Sequence, residues 1–229
     1  MLTRVLDAAT TRLVRYFGWS YDTFALVALQ AFALDYVPWS QSAIRPSALI
    51  CLLNDIAING RRTIVEFGSG ISTMFIAELI KDGGDRRLLS FEHDEGWSAR
   101  VNDRLERRGL GAVASSVHAP LRPCPGYDLP WYDVEIVREA VAGRPVDCLL
   151  CDGPPAWASA AAMARLPAVP IMREFLAGDF SIMLDDIQRH HERRVARAWQ
   201  RMLGVRFQHF YLRGGFALAL KGRHNYPLI

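Results

Sequence analysis

From Thr63 onward, short apolar runs alternate with stretches whose apolar residues recur at helical spacing, and this alternation restricts the fold more than any other feature. Runs at 63–67, 88–91, 112–117, 146–151 and 181–184 have the length of buried strands. Helical patterns fall at 71–80, 97–108, 158–176 and 187–203, the second with Trp97, Val101 and Leu105 on one face. Parallel neighbours cannot be joined by a tight turn, so strand–helix alternation means crossover helices on both faces of a sheet. Two final runs, 205–212 and 216–221, are separated only by a turn around Gly214 and Gly215 and must pair antiparallel. The predicted class is α/β: a three-layer, doubly wound, seven-stranded sheet, mostly parallel, with its last strand antiparallel.

The first 60 residues read as an N-terminal helical cap. Val5, Leu6, Ala9, Leu13 and Phe17 recur at helical spacing, an apolar helix spans 24–34, and Pro46 opens a third. The expected division is a cap over 1–60 and a core over 61–229, forming one structural domain overall. With 229 residues, 51% of them hydrophobic, the chain can bury enough surface to fold without a structural metal or cross-link. A formal charge of +3 is too small to announce a polyanionic partner, so nucleic acid is not expected. Gln30 interrupts the most apolar stretch, which is too short for a bilayer, and no secretory leader is evident. A cytoplasmic protein without a membrane partner is expected, and a homodimer stays open. Cys148 and Cys151 form a CxxC inside a strand run, where positions three apart point to opposite faces. Buried thiols are therefore expected rather than a zinc or redox pair.

Immediately after the first strand comes Glu66-Phe67-Gly68-Ser69-Gly70-Ile71-Ser72-Thr73, leading into a helix. Glycines at 68 and 70 permit a tight turn and close approach to a ligand, and a helix N-terminus offers free amide hydrogens. Thr73 stands where a dinucleotide fingerprint has its third glycine, and Glu66 would repel a diphosphate while suiting an ammonium group. The second strand ends in Phe91-Glu92-His93-Asp94, and a carboxylate at that tip is where ribose hydroxyls are held. The ligand implied is a nucleoside carrying an amino acid and no phosphate.

The runs IVEFGSGIST, SFEHD, VHAPL, LLCDGPP and IMLDD together resemble the motif series of class I S-adenosylmethionine-dependent methyltransferases, across about residues 40–221. The likeness is greatest to bacterial small-molecule O-methyltransferases, and it implies the strand order 3-2-1-4-5-7-6. By this resemblance Glu66, Gly68, Ser69 and Gly70 would line the methionine part of S-adenosylmethionine, with Ser72 and Thr73 near its carboxylate. Glu92 would hold the ribose, His93 would flank the adenine, and His118 and Ala119 would border the ring. An aminopropyltransferase-like enzyme and a non-catalytic S-adenosylmethionine-binding protein are the alternatives.

Ligands of open α/β sheets lie outside the carboxyl ends of the strands, where Asp152-Gly153-Pro154-Pro155 and Asp185-Asp186 fall. Three carboxylates converging there need a proton or a divalent cation between them, and oxygen ligands suit magnesium. Similar O-methyltransferases hold such a metal at positions matching Asp152, Asp185 and Asp186, and a small-molecule hydroxyl would then be the acceptor. Asp152 is the expected catalytic residue. Adjacent strand residues point oppositely, so Asp185 and Asp186 reach one ion only if the chain has already turned. His191 is expected on the apolar face of its helix with Ile187, Val195, Ala198 and Met202. The proline-rich segment 121–132 is long enough to act as a lid, and Trp39 and Trp157 are candidate pocket walls.

Overall fold

The computed structural model describes residues 20–32, 34, 39–40, 42–156, 162–212, 214–222 and 225. The expected helix around 5–17 and the candidate wall residue Trp157 lie outside them. Helical residues 20–29 (α1) lead through a short 3-10 turn, Gln30–Phe32, toward α2 (Pro46–Ile58). There follow β1 (Thr63–Phe67), α3 (Ile71–Ile80), β2 (Arg87–Glu92), α4 (Glu95–Arg107) and β3 (Ala114–His118). A small hairpin, β4 (Leu121–Pro123) with β5 (Pro130–Tyr132), precedes α5 (Val134–Val141) and β6 (Val146–Cys151). The chain closes with α6 (Ala168–Met172), β7 (Leu176–Leu184), α7 (His190–Leu203), β8 (Phe207–Phe210) and β9 (Phe216–Lys221).

The main sheet has seven strands in the order β3-β2-β1-β6-β7-β9-β8. Counted along this sheet alone, that is the expected order. β9 runs antiparallel to both its neighbours, and the other pairs are parallel. Both faces are covered, which is why the strands read as unbroken apolar runs. Ile64, Leu88, Cys148, Leu150 and Met183 face α2, α3 and α4. Val65, Phe67, Leu149, Cys151 and Ile182 face α5, α6, α7 and the hairpin. Cys148 and Cys151 thus enter opposite cores as free, buried thiols.

Three local expectations need correction. Residues 162–167 form turns and α6 has only five residues, where one helix over 158–176 was expected. Pro167 and Pro170 cannot donate to a helical ladder, Met163 adopts φ +70°, and β7 claims the chain already at Leu176. The segment 121–132 is not one open loop: its ends pair as a hairpin, and Trp131 and Tyr132 are fully buried and pack at 4.9 and 5.3 Å against the Phe67 ring. On α7 the buried stripe is Glu192, Val195, Ala196 and Trp199, one step round from the expected face, which leaves Met202 exposed. Trp39 packs on Phe75, inside the helical layer.

Candidate active site

β1 ends at Phe67, and the chain turns through Gly68 at φ +97°. A β-carbon there would sit 3.0 Å from the Gly153 nitrogen in a backbone region that side chains avoid, so glycine is required. Backbone hydrogen bonds tie three strand ends together at this point. The Gly68 amide donates to Phe91 O at 2.8 Å, and the Asp152 and Gly153 amides donate to Phe67 O at 3.0 and 2.6 Å. Beneath the turn, fully buried Glu66 accepts hydrogen bonds from the hydroxyls of Ser72 and Thr73. Burial lifts its pKa from 4.5 to about 7, against the pull of those hydroxyls. Gly70 is extended, and its amide donates to Thr73 Oγ1 at 2.9 Å, which fixes the start of α3.

At the tip of β2, Glu92 is almost wholly buried. Its Oε1 accepts from the amides of His93 and Asp94 at 2.8 and 3.0 Å, and Oε2 accepts from the Ser69 amide and hydroxyl at 3.2 and 3.3 Å. His93 Nδ1 lies 2.7 Å from Oε1 outside good hydrogen-bond alignment, so the contact is chiefly electrostatic. Burial alone would raise the Glu92 pKa; the imidazole and the two amides outweigh it and hold the carboxyl below its ordinary value. Glu92 in turn raises the pKa of His93.

At the tips of β6 and β7, oxygens of Asp152, Asp185 and Asp186 all lie within 4.8 Å of one another. The convergence has a backbone cause. Asp186 adopts φ +61°, so the chain has turned before it and both acidic side chains reach one place. Burial raises Asp152 to about 6, with the Asp186 charge adding and the Arg165 charge opposing. Burial and the charges of Asp152 and Asp186 push Asp185 well above the carboxylate range. Among them stands Arg165, only 3% exposed. Its Nη2 donates to the Asp152 carbonyl at 2.5 Å, to Asp152 Oδ1 at 3.3 Å and to Asp186 Oδ2 at 2.9 Å; its Nη1 donates to the Asp185 carbonyl at 3.1 Å. Arg189 Nη1 also approaches Asp186 Oδ2, at 2.8 Å.

An open cleft connects the two ends. Of the residues singled out in the sequence, it brings together Gly68, Ser69, Glu92, His93, Asp152, Asp185 and Asp186. Glu66, Ser72 and Thr73 lie under the turn instead, and Gly70 borders a separate groove with Trp97. His118 pairs in register with Glu92, and the Ala119 amide donates to Glu92 O at 2.8 Å, so both sit beside the cleft rather than in its wall. Ser42, Ala43, Tyr132, Arg165 and Arg189 line it unanticipated. The Tyr132 hydroxyl is buried and has no hydrogen-bond partner among the described residues. Gly153 makes room for it, since a β-carbon there would overlap that oxygen. Tyr132 had a faint signal, a polar-tipped aromatic closing a proline-rich run. Arg165 had none, because all but two of the 27 basic residues are arginine.

A seven-stranded sheet with β9 inserted antiparallel, and a cleft over the tips of β1, β2, β6 and β7, is the fold of class I S-adenosylmethionine-dependent methyltransferases. The family model described as a methyltransferase domain matches residues 65–187, more than half of the chain, and the chain belongs to that family. Solved structures share the fold at low identity. A Staphylococcus aureus protein assigned as a caffeoyl-CoA O-methyltransferase is 14% identical, with TM-score 0.63 over 88% of this chain and 99% of that one. The Bacillus cereus O-methyltransferase in complex with S-adenosylhomocysteine is 16% identical, with TM-score 0.56 over 89% and 91%. The Streptomyces achromogenes O-methyltransferase TomG, in complex with S-adenosylmethionine, is 17% identical, with TM-score 0.51 over 89% and 90%. A search of curated proteins gives no match. No helix among the described residues is long and apolar enough to cross a membrane.

Proposed function

We propose that this protein transfers the methyl group of S-adenosylmethionine to a hydroxyl of a small-molecule acceptor. One observation carries the reading: a single cleft joins Glu92 and the Gly68 turn at one end to Asp152, Asp185 and Asp186 at the other. Glu92 takes the ribose hydroxyls on Oε2, whose bonds to Ser69 are long enough to be exchanged, while the two amides keep Oε1 fixed. His93 flanks the adenine, and His118 and Ala119 border it. The backbone from Gly68 to Gly70 faces the methionine part, with Glu66, Ser72 and Thr73 holding the turn from below. The Bacillus and Streptomyces structures, solved with the demethylated and intact cofactor, support this choice of ligand.

A sulfonium methyl is already activated, so the enzyme must chiefly align the acceptor and remove its proton. In this reading Asp152 takes that task, and its position where β6 meets the Gly68 turn supports the assignment. Magnesium would supply charge stabilisation of an acceptor oxygen, and three convergent carboxylates are the donors it prefers. Arg165 tells against that fit. An ion bonded at about 2.1 Å to Asp186 Oδ2, which is 2.9 Å from Arg165 Nη2, would lie within about 5 Å of that nitrogen. Arg165 Nη2 and Arg189 Nη1 already hold Asp186 Oδ2 at 2.9 and 2.8 Å, and Arg165 Nη2 also donates to Asp152 Oδ1 at 3.3 Å, so an ion would have to displace a buried guanidinium from its ligands. As arranged, the residues do not fit the ion.

The test is calorimetry with S-adenosylmethionine and S-adenosylhomocysteine, followed by methyl-labelled turnover on a panel of hydroxylated and amine-only compounds. Binding of both ligands and label on hydroxyl compounds alone is the expected result. No binding heat would defeat the proposal, preference for the decarboxylated cofactor would indicate aminopropyl transfer, and label on amines alone would overturn the choice of oxygen.

A further inference from the structure

The guanidinium of Arg165 spends four hydrogen bonds on one place in the fold. Two go to backbone carbonyls, those of Asp152 after β6 and Asp185 after β7; two go to the side chains of Asp152 and Asp186. A planar fork of donors suits such a task, and no lysine could make the same set. The backbone that carries it is also fixed. Fully buried Trp199, on α7, donates from Nε1 to the Leu166 carbonyl at 2.9 Å, and the Ala168 amide donates to the Arg165 carbonyl at 3.2 Å. Arg165 is thus held from behind by one helix while it joins the two loops that carry the acidic residues. Arg189 adds a second positive charge at Asp186, from the more exposed side.

We propose that Arg165 is the resident cation of the acceptor end: it neutralises and aligns Asp152 and Asp186 from within the chain, so the site takes no divalent metal. Arg165 is a positioning residue in this scheme, since it acts on the acceptor through Asp152. That last step rests on the reading of the cleft given above, whereas exclusion of metal does not. The proposal separates this chain from proteins in which a bound ion draws the same two loops together. It also accounts for an arginine buried in a cluster that would otherwise hold three carboxylates with one partly exposed counter-charge.

Mn²⁺ is the probe, followed by the paramagnetic resonance signal of the free aquo ion as ligand-free protein is added. Wild type should leave the signal unchanged. Arg165→Met should take up one ion and bind it at least about tenfold more tightly than wild type, a gain of about 1.4 kcal/mol. Asp152→Asn in that background should abolish the uptake, and Arg165→Lys should exclude the ion as wild type does. Uptake of one Mn²⁺ by wild type, lost in Asp152→Asn, overturns the proposal, as does a folded Arg165→Met that takes up none. Should that variant not fold, the wild-type titration still decides. S-adenosylhomocysteine binding, measured in parallel on wild type, reports separately on the methyltransferase reading.

Discussion

Glu66 supplies a pH-dependent stability that can be worked from the structure. The side chain is fully buried, and burial raises its pKa from 4.5 to about 7. An unfolded chain gives up this proton near pH 4.5, while the folded chain keeps it until about pH 7. Between those values the unfolded state binds fewer protons, so stability falls as pH rises. The contribution is intact below pH 4.5, declines through the interval and is fully lost above about pH 7. The difference of about 2.5 pKa units corresponds to about 3 kcal/mol, undiminished by solvent because the group has no exposure. Glu66→Gln keeps the shape, cannot ionise, and offers an oxygen to one of the two hydroxyls and an amide to the other. Urea denaturation of both proteins at pH 5 and pH 8, without ligand, gives the comparison. Stability of the variant relative to wild type should improve by about 2.5 kcal/mol between the two pH values, since part of the contribution is already lost at pH 5. A relative stability that stays level, or moves the other way, would show that the folded carboxyl ionises near its ordinary pKa.

Glu92→Ala should weaken S-adenosylhomocysteine binding by at least about a hundredfold in calorimetry, since two charge-assisted hydrogen bonds are lost; unchanged affinity would remove Glu92 from the ribose. Gly68→Ala should cost about 1–3 kcal/mol in denaturant melts, from the positive φ and the 3.0 Å approach to Gly153, and a neutral result would contradict the turn geometry. Tyr132→Phe removes a buried hydroxyl with no partner among the described residues, so the ligand-free melting temperature should hold or rise, while the stabilisation given by saturating ligands should shrink. A fall without ligand would mean that the hydroxyl already has a partner.

Sequence patterns resolved what local physics controls. The strand pleat placed Cys148 and Cys151 in opposite cores, and the paired glycines placed the turn after Phe67. Glu92 was legible because a strand end followed by a helix start leaves few places for its carboxylate. Where tertiary contacts override local preference, the reading slipped. The alanine-rich composition favours a helix, yet Pro167, Pro170 and the left-handed Met163 leave turns over 162–167. Pro123 and Pro130 suggested an open loop but form the closing pair of a hairpin, because Trp131 and Tyr132 gain more from burial against Phe67. α5 went unrecognised, since eight residues carry only two turns of pattern and its decisive cap, Asp133, is a side-chain hydrogen bond.

The two ends of the cleft differ in how far apart in sequence their parts lie, and that difference governs what each can be read as. At the Glu92 end the partners are Ser69, His93 and Asp94, all attached to β1 and β2 or the turns that follow them. At the Asp152 end the charge balance depends on Arg165, which arrives from an irregular segment and stays in place through Trp199 on another helix. The same three aspartates would present a different site without that arginine: more negative, and open to a cation. A carboxylate motif after β6 and β7 therefore does not fix metal dependence by itself. The deciding residue is the buried cation nearest to the carboxylates, and in this chain it is covalently part of the protein.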